Sequence, residues 1–398
     1  MPNFLGNQNL RPETIGELEM GLDVDIKGVG FQLTRANSTA RDQILPVPPP
    51  AGSGFQFQWQ NAGTLESTTW EASLNIPLLQ KKDLNWSTRF IFDRNRAIIT
   101  ELDVPPFTGG VGTAQAAENI FLFQRGERLG TFYGRDHVRE CSQLPAAFAS
   151  QCGGSGSQFQ RNSDGWIVWT GGRDLGQGIT DNLWQAQLPA GSAPWGQRLN
   201  WGMPILSRDT IANAAQVNLG NALPRWRSGW SQTFQWKRFS AYNLIDLQVD
   251  QSIWNQGYHW SLGDFMTREQ DMQGRSVADA RPIGYGWRAG PGIGGHPAGI
   301  GGFYDILAPG RFTMEQVTWA RFRELSISYR VGRIGGRGDW TVGAVGRNLL
   351  TWTNNGYRGF DPETGVNGGN LGSSALNAID RYNFPNLRSF TINLRSSF

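Results

Sequence analysis

The chain has 398 residues, of which 17% are charged and 12% aromatic, with a formal net charge of +3. This balance, without a basic block or an aromatic platform interleaved with Lys and Arg, argues against nucleic-acid binding. Mean hydropathy is −0.41, and no run of 18 apolar residues occurs, which excludes a transmembrane helix. So many aromatic residues in so polar a chain are typical of strands with one apolar and one polar face, as in a membrane β-barrel.

Strict two-residue alternation is the dominant pattern, and it begins near the amino end. Residues 17–26 alternate Leu, Met, Val and Ile with Glu, Gly and Asp. The pattern resumes at 29–33 after Lys27-Gly28, which predicts a hairpin with a tight turn. The same alternation at 70–76 and 84–92 predicts a second hairpin.

Five further strands have the same period, at 226–236, 245–250, 324–331, 340–344 and 390–398. Connections alternate between short turns, at 27–28, 79–83, 237–238 and 332–338, and long segments, at 37–66, 95–225, 254–317 and 351–386. Short periplasmic turns and long extracellular loops are typical of outer-membrane barrels. We therefore predict an all-β fold, a transmembrane antiparallel β-barrel segment of about 9–11 strands from a larger barrel.

Two details qualify this prediction. The interval 95–225 is too long for a structureless loop, so we expect hairpins within it, one of them at Asp164–Thr170. Nine strands leave two sheet edges that lipid cannot hydrogen-bond, so we expect further sequence upstream of Met1. Soluble sandwiches and propellers also contain alternating strands, but sandwiches place turns every ~8–12 residues and propellers repeat in blades.

Eight segments carry a family resemblance, and they occur in family order: Asn9–Asp23, Asn61–Leu74, Gly126–Gly134, Asn162–Trp169, Leu219–Ser240, Trp319–Val331, Gly346–Thr364 and Tyr382–Phe398. Together they resemble the SusC/RagA family of TonB-dependent outer-membrane transporters over nearly the whole chain. The resemblance implies that residues 1–398 are the carboxy-terminal part of a receptor barrel in the cell outer membrane. The plug domain and the first barrel strands match nothing here. Phe398 would be the terminal aromatic signature for membrane insertion.

The resemblance also implies a function and partners. The intact protein would import an oligomeric nutrient such as a glycan or peptide, driven by the TonB complex through the missing amino-terminal region. Outer-membrane lipid would surround the barrel, and a SusD-like surface lipoprotein would cover it. A passive porin or structural barrel remains the alternative, and a soluble β-rich glycan-binding module is a third reading.

Aromatic residues of the long loops are the candidates for substrate contact, because aromatic faces stack on sugar and peptide surfaces. They are Trp184, Trp195, Trp201, Trp254, Tyr258, Trp260, Tyr285 and Trp287. Alternatively, these rings pack the loops together or join the aromatic girdle at the membrane interface. The strand-end rings are better girdle candidates: Trp86, Trp236, Trp340 and Trp352.

No residue is predicted to be catalytic, and no cofactor or metal is expected. His137, His259 and His296 lie far apart, without a motif-spaced nucleophile or carboxylate. Asp361-Pro362-Glu363 is interpreted as a loop stabiliser rather than a pair of catalytic carboxylates.

Three other motifs are weak. Asn162–Gly165 lacks the alternating Asp residues and the closing Glu of a calcium loop. The glycines at 290, 292 and 295 lack the strand and helix of a dinucleotide site. Cys141 and Cys152 are the two cysteines, and the sequence leaves open whether they form a disulfide.

Overall fold

The structure is a computed structural model that describes residues 4–55, 57–111, 118–175, 186–197, 199–208, 216–263, 266–271, 273–274, 310–335, 337–354, 356–363, 378–382 and 384–397. The chain divides into two compact units. The sheet unit comprises Met1–Thr131, Gly220–Ile253 and Gln316–Phe398. The loop unit comprises Phe132–Leu219 and Trp254–Glu315. No described helix is long and apolar enough to cross a membrane.

The described strands are β1 (Phe4–Leu5), β2 (Thr14–Ile26), β3 (Val29–Arg41), β4 (Ile44–Val47), β5 (Phe57–Asn61), β6 (Gly63–Lys81), β7 (Leu84–Leu102), β8 (Phe107–Val111), β9 (Glu118–Phe123), β10 (Thr131–Arg135), β11 (Cys152–Gly153), β12 (Phe159–Arg161), β13 (Ile167–Trp169), β14 (Gln187–Leu188), β15 (Leu199–Asn200), β16 (Gln216–Asn221), β17 (Trp226–Trp236), β18 (Phe239–Asn255), β19 (Met314–Ile334), β20 (Arg337–Thr353), β21 (Ile379–Asp380) and β22 (Ser389–Ser397). The described α-helices are α1 (Ala146–Ala149) and α2 (Gln256–Gly263). Short 3₁₀ turns lie at Ala51–Ser53, Cys141–Gln143, Ala190–Ser192, Pro194–Gly196, Arg268–Gln270 and Arg311–Thr313.

Nine long strands form the main sheet in the order β2-β3-β6-β7-β17-β18-β19-β20-β22, and β21 pairs with β18. All nine predicted strands are confirmed, and most run beyond their predicted bounds. The segment predicted as a long connection from residue 95 is corrected at its start, because β7 continues to Leu102. The strand order follows the chain order, as expected of a sheet built from consecutive hairpins.

The registers align the apolar residues of successive strands on one side of this sheet. Residues in register across six strands are Val24, Phe31, Leu74, Phe90, Trp230 and Ile245. On the opposite side, the row Gly21, Thr34, Glu71, Asp93, Arg227 and Gln248 is largely polar. We call these sides the apolar face and the polar face.

The apolar face is exposed where a soluble sheet would bury it. Leu22 is 54% exposed and Ile392 is 84% exposed. Its few polar groups bond to one another, since the indole of Trp230 donates to Thr88 Oγ1 (2.8 Å) and that of Trp86 donates to Gln232 Oε1 (3.0 Å). Such pairing is what a strand surface in lipid requires, because no water is present to satisfy these groups.

The turns at 27–28 and 237–238 have the two residues that the sequence predicted, whereas the turn predicted over 79–83 is shorter, because β6 ends at Lys81 and β7 begins at Leu84. At the first of them, Lys27 (φ 55°) and Gly28 (φ 83°) both lie in the left-handed region, which is typical of a type I′ hairpin turn. The predicted turn over 332–338 is wrong in length, because the last residues of β19 and the first of β20 still pair.

The loop unit contains a core of its own. Residues buried together are Val138, Leu144, Phe159, Ile167, Ala193, Leu199, Met203 and Ile205. A disulfide joins Cys141 and Cys152 beside this core, which answers the question that the sequence left open. The predicted hairpin at Asp164–Thr170 is confirmed, since β12 pairs antiparallel with β13.

Candidate functional site

The polar face of the sheet unit carries a cavity of about 960 Å³. Strands β6, β7, β17, β18 and β19 contribute to its wall, and the Pro362-Glu363 segment borders it. The lining mixes charged, amide and hydroxyl groups with apolar side chains, so the cavity suits contact with a polar surface.

Most charges on the cavity wall are paired across strands. Arg227 Nη2 lies 2.8 Å from Asp93 Oδ2. Arg323 donates to Asp246 Oδ2 at 2.7 Å and to Glu363 Oε1 at 2.7 Å. Such pairs hold the side chains in defined positions while leaving some carboxylate oxygens for further hydrogen bonds.

Behind this wall lies a buried ion pair between Arg321, whose side chain is 2% exposed, and Asp361, whose side chain is 5% exposed. Arg321 also donates to Glu363 Oε2 at 2.6 Å. Asp361 accepts hydrogen bonds from the backbone N–H groups of Glu363 (3.0 Å) and Asn386 (2.9 Å). The interpretation of Asp361-Pro362-Glu363 as a loop stabiliser is therefore confirmed, since both carboxylates anchor the segment after β20.

Strands β19 and β20 pair irregularly near Arg323, which borders the cavity. Their pairing shifts between Phe322 and Glu324, and Asn348 on β20 adopts a φ of 52°. After the shift along the chain, Ile327 of β19 lies on the apolar face and is 40% exposed. Up to the shift, the odd-numbered residues Trp319 and Arg323 border the cavity instead. A β-bulge commonly redirects side chains in this way.

The loop aromatics are distributed between interior and surface of the loop unit. Trp201 is 2% exposed and donates its indole N–H to the Thr170 carbonyl at 3.1 Å. Trp254 is fully buried. These two rings pack the unit from within, which favours the loop-packing alternative for them, because a buried ring cannot stack on a ligand.

Other aromatic candidates are less buried. Trp195 packs partly against the core of the loop unit, and Trp260 is partly exposed. Tyr258 donates its hydroxyl to Glu269 Oε2 at 2.6 Å. The remaining candidates lie outside the described residues: Trp184, Tyr285, Trp287 and Phe398. Substrate contact by any of these residues stays a prediction.

The girdle candidates sit near strand ends, as the sequence indicated. Trp236 is 53% exposed beside a short turn, and Trp352 is 51% exposed at the other end of the sheet. Trp86 and Trp340 also lie close to short turns.

The histidines show no catalytic arrangement within the described part of the chain. His137 packs edge-on against Trp166 (5.5 Å), and His259 packs against Phe312 (5.5 Å). His296 and the glycines at 290–295 lie outside the described residues. No group of three or more potential metal-ligating side chains occurs among the residues that the structure describes.

Because His137 is buried, we expect the stability of the loop unit to depend on pH. Burial lowers its pKa from 6.5 to about 4, although Asp136 opposes this shift. The unfolded unit therefore binds a proton below about pH 6.5 that the folded unit excludes, so stability falls as the pH drops. We expect a loss of about 2 kcal/mol between pH 7 and pH 5.

Hydrogen exchange of the Val138 and Ile167 amides in the full-length protein measures this loss, because both amides bond inside the unit, at 2.9 and 2.8 Å. His137→Gln should remove most of the pH dependence. An unchanged dependence in this variant would assign the effect to other groups.

Comparisons with known proteins give a consistent result, although no family model matches the chain. It is 24% identical over 416 residues to TonB-dependent receptor P3 of Formosa agariphila, covering 98% of this chain and 35% of that receptor. It is 23% identical to TonB-dependent receptor P26 of the same organism, again covering 98% and 35%. The chain thus spans about a third of the length of these relatives.

Among solved structures, the chain is similar to the RagAB peptide transporter, with a TM-score of 0.59, 17% identity, and coverage of 97% of this chain and 35% of that chain. A 'closed-closed' state of the RagAB peptide importer gives a TM-score of 0.58 at 18% identity. These matches confirm the predicted resemblance to TonB-dependent receptors and the all-β fold class. The relatives are named as receptors and transporters, not as enzymes.

Proposed function

We propose that this chain is the carboxy-terminal wall of a TonB-dependent outer-membrane importer that takes up an oligomeric nutrient. The observation that supports this most is the register of the main sheet, which aligns an exposed apolar face over the six strands from β2 to β18 and opposes it with a polar face. That two-sided surface suits a wall between lipid and a water-filled or protein-filled interior.

The partners follow from the same proposal. A sheet whose end strands β2 and β22 each have one described neighbour needs further strands to close in lipid. The paired charges of the cavity wall would then face the interior, where a plug domain or the nutrient lies. A TonB complex would supply energy, and a SusD-like lipoprotein would cover the loops. The nutrient would be a peptide, as the names of the structural neighbours suggest, or a glycan.

Energised uptake tests this function against the passive porin. Cells carrying the full-length gene, and cells lacking it, are given fluorescently labelled peptide or oligosaccharide mixtures. We expect gene-dependent uptake of one class that stops when a protonophore collapses the inner-membrane proton gradient. Uptake that continues without the gradient would instead establish a passive pore.

Lysine placement offers a test of orientation. The four lysines of the chain, Lys27, Lys81, Lys82 and Lys237, all lie at short turns. If these turns are periplasmic, a membrane-impermeant amine reagent should leave all four unlabelled on intact cells. Permeabilising the outer membrane should expose them, and peptide mapping by mass spectrometry reads each site. Labelling of these lysines on intact cells would reverse the proposed orientation.

A further inference from the structure

Arginines border the apolar face at the end of the sheet opposite the short turns. The last apolar row across four strands is Leu22, Leu33, Ala72 and Phe92. In the next row, Met20, Arg35, Trp70 and Arg94 are in register. One row further, Arg96 pairs with Thr68. On β3 and β7 the apolar face therefore ends in arginine, whereas on β2 it continues through Met20 and Leu18.

A fourth arginine joins this row from a neighbouring segment. Arg128 forms an antiparallel bridge with Ile98, two positions beyond Arg96 on the same face of β7. Bridged residues share a face, so Arg128 lies beside Arg96. We call Arg35, Arg94, Arg96 and Arg128 the arginine patch.

The charges of the patch are not neutralised within the described part of the chain. None of the four arginines forms an ion pair with a described residue, in contrast to Arg227 and Arg323 on the polar face. Arg35, Arg94 and Arg96 are exposed. Burial, followed by the charges of Arg96 and Arg94, lowers the pKa of Arg128, with a smaller opposing effect of Asp250.

Glu66 and the position of Arg94 define the limits of the patch. Glu66 lies opposite Ile98 on the same face and forms no ion pair with the arginines. Arg94, although in register with Trp70, also borders the cavity of the polar face. Arg35 and Arg96 are therefore the clearest members of the patch.

The position of the arginine patch, at the end of the apolar face, indicates which chemical groups it would bind. Arg35 Cζ lies 5.2 Å from the ring centroid of Trp70, so cation and aromatic ring meet where the apolar face stops. Trp is enriched at the level of lipid headgroups. Guanidinium groups bind phosphate oxygens in bidentate geometry and are less strongly hydrated than ammonium groups.

We infer that the arginine patch binds the phosphate groups of lipids in the leaflet that faces the long loops. This inference rests on the proposed membrane insertion of the sheet. It assigns the lipid contact at this end to arginine, whereas the lysines of the chain all lie at the opposite end.

Binding of fluorescent lipid A, a diphosphorylated lipid, to the delipidated full-length receptor in detergent tests the inference. Each arginine near a lipid surface contributes about fivefold in affinity, so Arg35→Gln with Arg96→Gln should raise the Kd roughly 25-fold. Arg89→Gln is the matched control, because Arg89 is in register with Asn75 on the polar face of the same strand. We expect the control to bind lipid A as the unmodified receptor does.

Three results would overturn the inference: an unchanged Kd in the double variant, an equal loss in the control, or impaired nutrient uptake with intact lipid A binding. The last would assign the arginines to an anionic nutrient. Failure of the unmodified receptor to fractionate with the outer membrane would refute the proposed function instead. Receptor that inserts but binds no lipid A refutes only the lipid site.

Discussion

Asp361→Ala should lower the free energy of unfolding by about 3 kcal/mol, because it leaves the buried Arg321 guanidinium without its closest partner. Glu363 still accepts one bond from Arg321, at 2.6 Å, which limits the loss. Urea titration of the full-length protein in lipid vesicles, followed by tryptophan fluorescence, measures the change.

The control for this prediction is an ion pair of the same type at an exposed site. Glu324 Oε2 lies 3.0 Å from Arg347, whose side chain is 58% exposed, so Glu324→Ala should cost less than about 1 kcal/mol. Replacing both buried partners, by Arg321→Met with Asp361→Leu, should restore much of the stability, since no charge is then left unpaired. Equal losses for Asp361→Ala and Glu324→Ala would show that burial of the pair is unimportant.

Leu74→Arg should destabilise the membrane-inserted protein by about 2–4 kcal/mol, the cost of an arginine on the lipid-facing side of a barrel strand near the bilayer midplane. Leu74 is in register with Phe31 and Phe90 in the middle of the apolar face. The same titration in vesicles gives the free energy of unfolding.

The adjacent residue provides the matched control. Ser73 lies on the polar face, where its hydroxyl donates to Gln32 Oε1 at 3.1 Å, so Ser73→Arg should change the stability by less than about 1 kcal/mol. A larger loss from Ser73→Arg than from Leu74→Arg would mean that the two faces have been assigned the wrong way round.

Much of the sheet could be predicted because its pattern is local. In β2 and β17, alternation of apolar and polar residues reports directly which side chains share a face, and a one-residue slip would reverse the faces. The two-residue turn at Lys27-Gly28 is equally local, since Gly tolerates a positive φ. The resemblance to TonB-dependent receptors also came from ordered segments of sequence, and the comparisons confirm it.

Contacts between residues that are distant in sequence could not be predicted. The partners Arg321 and Asp361 are 40 residues apart, and the shift near Phe322 that redirects β19 has no mark in the alternation itself. The burial of Trp201 could not be predicted either, because the sequence of a Gly-rich loop does not show whether an aromatic side chain packs inward or faces a ligand.

The strands, the two faces and the order of short and long connections could be derived from the amino-acid pattern, because these depend on neighbours one or two positions away. The pairing of the two cysteines, the ion pairs behind the cavity and the arginine patch at the edge of the apolar face became visible in the folded chain. The arginine patch depends on register between strands, and the ion pairs and the disulfide depend on how loop segments pack, which alternation along the chain does not report.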